Sequence, residues 1–315
     1  MTTTLQAQRD VFIEEITRRA LKDQGIYFIS ADFGAPALDE FRARLPRQFI
    51  HSGISEQHMI DMASGLALSG KTVFVYAMSP FISLRCLEQL KCCLAVMNQP
   101  VCVLSVGIGL GYADSGPTHY STEDLACLRS LNGVEILTPC DTASTLAVAQ
   151  HACDNVAFRM VRLDRSPLPD IYSNFPQSTL ARGFAEVVSG RDVCLLACGY
   201  MTHRAKQVAE KLAARGISAG IVDLFRVKPF PADLRAMLQQ YRLLVTLEEQ
   251  CLAGGFGSAI LEYLSDSRLQ RPALRLGLPE RYFFENGGRD YLLSLAGLDA
   301  ESVASNIQKE LAAAA

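Results

Sequence analysis

The chain has 315 residues, 49% of them hydrophobic, and a formal net charge of −3. That supply of apolar side chains suits one or two domains with cores of their own and excludes a disordered chain. No basic run points to nucleic acid, apolar runs such as VCVLSVGIGLG are too short to cross a membrane, and the polar-then-amphipathic start MTTTLQAQRDVFIEEI has no apolar signal core, so a cytoplasmic protein is expected.

In chain order, a helical pattern over 5–22 leads to the strand GIYFIS (25–30), and one over 55–69 leads to TVFVYAM (72–78). A pattern over 82–98 precedes PVCVLSVGI (100–108), and one over 122–131 precedes VEILTP (134–139). The next helix, 141–152, starts at Asp141 just after Pro139 and leads to NVAFRMVRL (155–163). RSPLPDIYSNFPQS follows, with three prolines in fourteen residues, and reads as a linker over the surface. Alternation then resumes with strands at 192–198, 218–225, 242–249 and 272–278 and helices near 201–215, 231–240, 256–265 and 300–313. Strands and helices alternating throughout predict an α/β chain of two doubly wound domains with mostly parallel sheets, 1–165 and 182–315, joined by a linker at 166–181.

The ten cysteines include no CxxC pair. Cys86, Cys92, Cys93, Cys102, Cys127, Cys194 and Cys198 lie in apolar segments and read as small buried hydrophobes. Cys194 and Cys198 fall in the strand-like VCLLAC, a poor zinc clip, so no metal ligands are expected in this chain.

Four segments could carry chemistry. In HSGISEQHMIDMASGLALSG (51–70), a glycine turn leads through Ile54 to Ser55, a candidate N-cap, and to Glu56 in the first helical turn, where exposed N–H groups favour an anion. By spacing alone such an acid is commonplace. In GLGYADSGPTHYSTEDLACLRSL (109–131), a glycine-rich loop leaves a strand at its C-terminal end, where ligands gather in doubly wound sheets. It carries Asp114 and His119, whose ring can exchange hydrogen bonds with hydroxyls or phosphate. In YAMSPFISLRCLEQLKCC (76–93), Phe81 follows the turn at Pro80 and could stack on a flat heterocycle or belong to the core. EEQCLAGGFGSAI (248–260) looks like a phosphate loop but lacks the Walker lysine and the dinucleotide spacing, so a tight strand-to-helix turn is expected there.

Taken together, these segments resemble the transketolase family over nearly the whole chain. Phe49-Ile50 through GISEQ is similar to the family's glutamate-bearing segment, and GPTH (116–119) with LRSLNGVEILTPCD is similar to its substrate loop. LFRVKPF, VTLEEQCLAGGFGSAI and GLPERYF resemble the C-terminal domain of transketolases and deoxyxylulose-phosphate synthases. The resemblance implies a thiamine-diphosphate-binding pyrimidine domain followed by a transketolase C-terminal domain. It implies that Glu56 hydrogen-bonds a ring nitrogen of the cofactor's aminopyrimidine and activates it, acting as catalytic residue with His119. Phe81, with Tyr76 beside it and Ile54 nearby, would contact the pyrimidine. His119 and Asp114 would meet the sugar substrate, and Arg162 the acceptor phosphate, a role suited to its fork of donors.

Family members hold Mg²⁺ and the diphosphate through a GDG motif in another half, and GDG occurs nowhere in this sequence. The resemblance therefore implies a partner, an N-terminal diphosphate-binding transketolase subunit, in an α2β2 heterotetramer that transfers a two-carbon ketol unit between sugars. The beta subunit of a 2-oxoacid dehydrogenase, a deoxyxylulose-phosphate synthase-like acyloin synthase and a non-catalytic structural subunit are the alternatives. Two departures bear on the substrate. Asp114 stands five residues before His119, with Ser115 inserted into the family's DGPTH, and the segment Ala31–Ala37 has no serine where transketolases place one that contacts phosphate.

Overall fold

The computed structural model describes residues 5–31 and 34–313. Its strands are β1 (Ile26–Ala31), β2 (Phe49–Gly53), β3 (Thr72–Met78), β4 (Val101–Val106), β5 (Glu135–Leu137), β6 (Arg159–Leu163), β7 (Ala185–Val188), β8 (Val193–Ala197), β9 (Ala219–Asp223), β10 (Arg226–Lys228), β11 (Leu243–Cys251) and β12 (Ala273–Leu278). One sheet has the order β10-β5-β6-β4-β3-β1-β2 and the other β12-β11-β8-β9-β7. Among the described strands only the edge pairs β10–β5 and β7–β9 are antiparallel. The expected pair of mostly parallel α/β units is borne out. Their central strands are continuous apolar runs because helices cover both faces; β4 (VCVLSV) is buried at every position.

The two units are stitched together rather than merely linked. β10 comes from beyond residue 182 yet forms the edge of the first sheet. Leu125, Leu128 and Leu131 of the first unit share one core with Met237, Phe256 and Ile260 of the second. The proline-rich segment also departs from a surface linker. Leu168 and Phe175 are buried, Phe175 packs edge-on against Phe225 at 5.1 Å, and the Tyr172 hydroxyl donates to Asp223 (2.8 Å).

Other differences have local causes. The predicted helix 82–98 is broken into short helices Ser79–Ile82 and Leu87–Gln89 and a π-helix Leu90–Val96. Pro80 is the second residue of the first of these, in the opening turn where its missing N–H costs nothing. β2 and the helices Pro36–Arg44 and Arg289–Leu295 were not expected. Cys92 is exposed and Cys93 and Cys127 are half-buried, so three of the seven cysteines read as buried are not. Asp141 does cap the helix Thr142–Asp154, accepting from the Ser144 N–H at 2.8 Å in a capping box. No helix among the described residues is long and apolar enough to cross a membrane.

Candidate active site

The candidate residues follow the C-terminal ends of parallel strands: Glu56 after β2, Phe81 after β3, the loop with Asp114 and His119 after β4, and Arg165 after β6. Neighbouring parallel strands bring these connections to one edge of the sheet, the edge at which such folds bind ligands.

At the end of β2, Gly53 takes φ +67°, a left-handed conformation that releases the chain from the strand. Ile54 is then left 78% exposed. Ser55 does not cap the helix as expected; its hydroxyl donates instead to the Ser52 carbonyl (2.5 Å). Glu56 is the first residue of the helix Glu56–Leu68 and is buried to 5% exposure. As the first helical residue it stands at the positive end of the helix dipole, which favours a negative charge. Arg85 Nη1 donates to Glu56 Oε2 at 2.7 Å, and the same guanidinium lies over the Phe81 ring with its carbon 4.2 Å from the centroid. Phe81 in turn meets the His119 ring edge-on at 5.3 Å.

The contacts continue past His119. Thr118 Oγ1 lies 3.0 Å from His119 Nδ1, and the Tyr112 ring is 6.4 Å from the imidazole. Arg165 stacks on Tyr112 (4.6 Å) and donates to Asp114 at 2.6 Å, which holds the Asp114 carboxyl below its ordinary range. A cleft of ≈ 520 Å³ opens here, with Arg9, Met78, Tyr112, Ser115, His119 and Arg165 in its lining.

Buried hydroxyls fix the two halves of this site to each other. Ser79 Oγ sits 2.5 Å from Ser121 Oγ and accepts from Ser105 Oγ at 2.8 Å. Ser79 opens the turn that carries Phe81, and Ser121 closes the loop that carries His119. The second unit braces the same loop. Glu249 accepts from the Leu110 N–H (3.2 Å), and Arg289 clamps Glu249 (2.6 and 2.7 Å) and Asp164 (2.6 Å), the neighbour of Arg165.

Glu56, Phe81, His119 and Asp114 thus fall along one run of contacts, with Ile54 exposed beside it. Tyr76 and Arg162 do not join them. Tyr76 is fully buried and tilts against Phe28 in the core of the first unit, where desolvation drives its hydroxyl pKa upward. Arg162 is inside β6 with no exposed surface; it donates to both Asp124 oxygens (2.7 and 3.1 Å) and to Thr138 (3.0 Å). An arginine so engaged offers no fork to a substrate. The arginines lining the cleft are Arg9 and Arg165, the latter two residues beyond β6, and both were missed together with Arg85 and Tyr112. Strand-end position is the signal that distinguishes Arg165 from Arg162. Within the serine-free stretch 31–37, Asp32 and Phe33 lie outside the described residues.

EEQCLAGGFGSAI forms the expected tight turn. The N–H groups of Phe256 and Gly257 are taken by Glu248 (2.6 and 2.8 Å), so no phosphate can use that helix end while Glu248 stays. Among the described residues no group of three or more His, Cys, Asp or Glu could hold a metal.

A model of the transketolase pyrimidine-binding domain matches residues 5–170, and one of the transketolase C-terminal domain matches residues 183–303. The chain belongs to the transketolase family. Among its relatives is one of the subunits of the apulose-4-phosphate transketolase of Phocaeicola vulgatus, 31% identical over 305 residues that cover 96% of this chain and 97% of the relative. The 1-deoxy-D-xylulose-5-phosphate synthase of Microcystis aeruginosa is 36% identical over 282 residues, covering 87% of this chain and 44% of that one. Among solved structures, a split-gene transketolase described as an inactive β4 tetramer superposes with a TM-score of 0.85 at 28% identity, over 98% of this chain and 99% of the other.

Proposed function

We propose that this transketolase-family chain is the pyrimidine-holding subunit of a thiamine-diphosphate-dependent enzyme that moves a two-carbon ketol unit from a ketose to an aldehyde acceptor. The observation that carries the reading is the pairing of Glu56 with Phe81. A buried carboxylate and an aromatic face share one flat, hydrogen-bonding group, at present the Arg85 guanidinium. The space between them therefore fits a planar ring that offers Glu56 a hydrogen bond.

When bound, thiamine diphosphate supplies the carbanion chemistry that breaks and remakes the ketose carbon–carbon bond. The chain's own residues bind, orient and handle protons. Glu56 shares a proton with a ring nitrogen of the aminopyrimidine, and the helix N-terminus steadies its charge. Phe81 gives the ring a face to stack on. His119, braced by Thr118, exchanges hydrogen bonds with substrate hydroxyls. Arg165, with Asp114 orienting it, receives an anionic end of the substrate.

In this reading the diphosphate and Mg²⁺ are held by a separate chain within an α2β2 assembly in the cytoplasm. Support comes from the apulose-4-phosphate transketolase relative, itself named as a subunit, which this chain matches over almost its full length. Calorimetric titration of thiamine diphosphate with Mg²⁺ tests it: binding is expected for the mixed subunits, and tight binding to this chain alone would overturn it. The 36% identity to a deoxyxylulose-phosphate synthase favours acyloin synthesis as the second reading. Release of CO₂ from pyruvate by the reconstituted pair, with ketoses inert, would select it.

A further inference from the structure

Arg85 holds a position that the proposed function does not use. It is 41% exposed, yet its guanidinium is tied at two points: Nη1 to the Glu56 carboxylate (2.7 Å) and its planar face to the Phe81 ring (4.2 Å). An aminopyrimidine stacked on Phe81 and hydrogen-bonded to Glu56 needs the same carboxylate and the same ring face. Two planar groups cannot occupy both at once. The anchors beneath do not yield easily. Phe81 rides on the turn pinned by the Ser79–Ser121 hydroxyl contact, and Glu56 starts a 13-residue helix packed in the core. What can move is Arg85, a long, partly exposed side chain between two short helices.

We propose that Arg85 is a displaceable plug that fills the aminopyrimidine subsite of the chain by itself, and that cofactor binding requires its guanidinium to swing off Phe81 and release Glu56. This rests on the reading of Glu56 and Phe81 as the pyrimidine subsite. The plug keeps the Glu56 charge paired and the Phe81 face covered until a competing ring arrives. It lowers affinity for that ring by the fraction of time Arg85 is away. One exposed ion pair and one guanidinium stack together amount to about a tenfold effect.

The test uses the full-length chain and the fragment 4-amino-5-hydroxymethyl-2-methylpyrimidine as probe, followed by NMR or calorimetry. Arg85→Ala is expected to bind the fragment about tenfold more tightly than the parent, with the urea midpoint of unfolding little changed. Adding Glu56→Gln to Arg85→Ala is expected to erase the gain. Equal or weaker binding by Arg85→Ala, with binding still dependent on Glu56, overturns the plug and leaves the pyrimidine subsite standing. Failure of both chains to bind the fragment also overturns it, because a subsite cleared of its plug must then accept the ring. Fragment binding indifferent to Glu56 in both backgrounds overturns the subsite reading itself, and the plug with it.

Discussion

Arg162 and Asp124 form an ion pair inside the protein: Nε lies 2.7 Å from Oδ2, and neither side chain has any exposed surface. Asp124 opens the helix Asp124–Leu128 that follows the His119 loop, and Arg162 lies in β6, so the pair ties that loop's exit to the sheet. Removing one partner leaves the other charge buried and alone, which costs about 3–5 kcal/mol. Arg162→Met should therefore lower the urea midpoint sharply, and the double change Arg162→Met with Asp124→Leu should recover much of it. If Arg162→Met instead raises the acceptor KM of the assembled enzyme with no loss of stability, its buried role is wrong.

Arg165 should behave in the opposite way. Its side chain is 38% exposed and stacked on Tyr112, so little of the fold depends on it. A charge-assisted hydrogen bond to an anionic acceptor contributes about 1.5–3 kcal/mol, so Arg165→Ala should raise KM for a phosphorylated acceptor about 10–100-fold. The unfolding midpoint should stay put. An unchanged KM would show that the anionic end docks elsewhere.

Asp223 predicts a pH dependence. It is wholly buried where the two units meet the proline-rich segment, and burial raises its pKa to about 7 despite donors from Tyr172 (2.8 Å), Cys140 (3.2 Å) and Thr202 (3.1 Å). The folded state then holds a proton that the unfolded chain, with a pKa near 3.8, has released. Stability from this group is present below about pH 4 and is lost as pH rises through about 7, by roughly 2–4 kcal/mol. Asp223→Asn should flatten that decline, so its stability relative to the parent should climb between pH 4 and pH 8. Urea unfolding across that range reads the difference, and parallel curves would show that Asp223 does not titrate in the window.

The central strands were legible because each is an unbroken apolar run, as in VCLLA of β8, and such runs mark parallel strands buried on both faces. β2 was not, because FIHSG is at least partly exposed at all five positions and does not alternate. β10 has three residues and exists only through its pairing with β5 across the boundary between the units. In the site, Glu56 stood out by motif alone, and His119 by motif and by the strand end that its loop follows. Arg165 escaped notice because Arg162 lies only three residues away, and nothing local says that one is locked to Asp124. Arg85 escaped for a different reason: its contact with Glu56 spans 29 residues of sequence, and the helix expected over 82–98 breaks where it sits.

In the proposed function Glu56 activates the cofactor rather than merely pairing with Arg85. Steady-state ketol transfer by the reconstituted complex carrying Glu56→Gln tests it most directly, with cofactor occupancy checked by calorimetry. A loss in kcat of about 10²–10⁴-fold at saturating cofactor is expected of a positioned proton partner. Turnover within a few-fold of the parent would contradict the account and leave Glu56 a structural ion-pair partner.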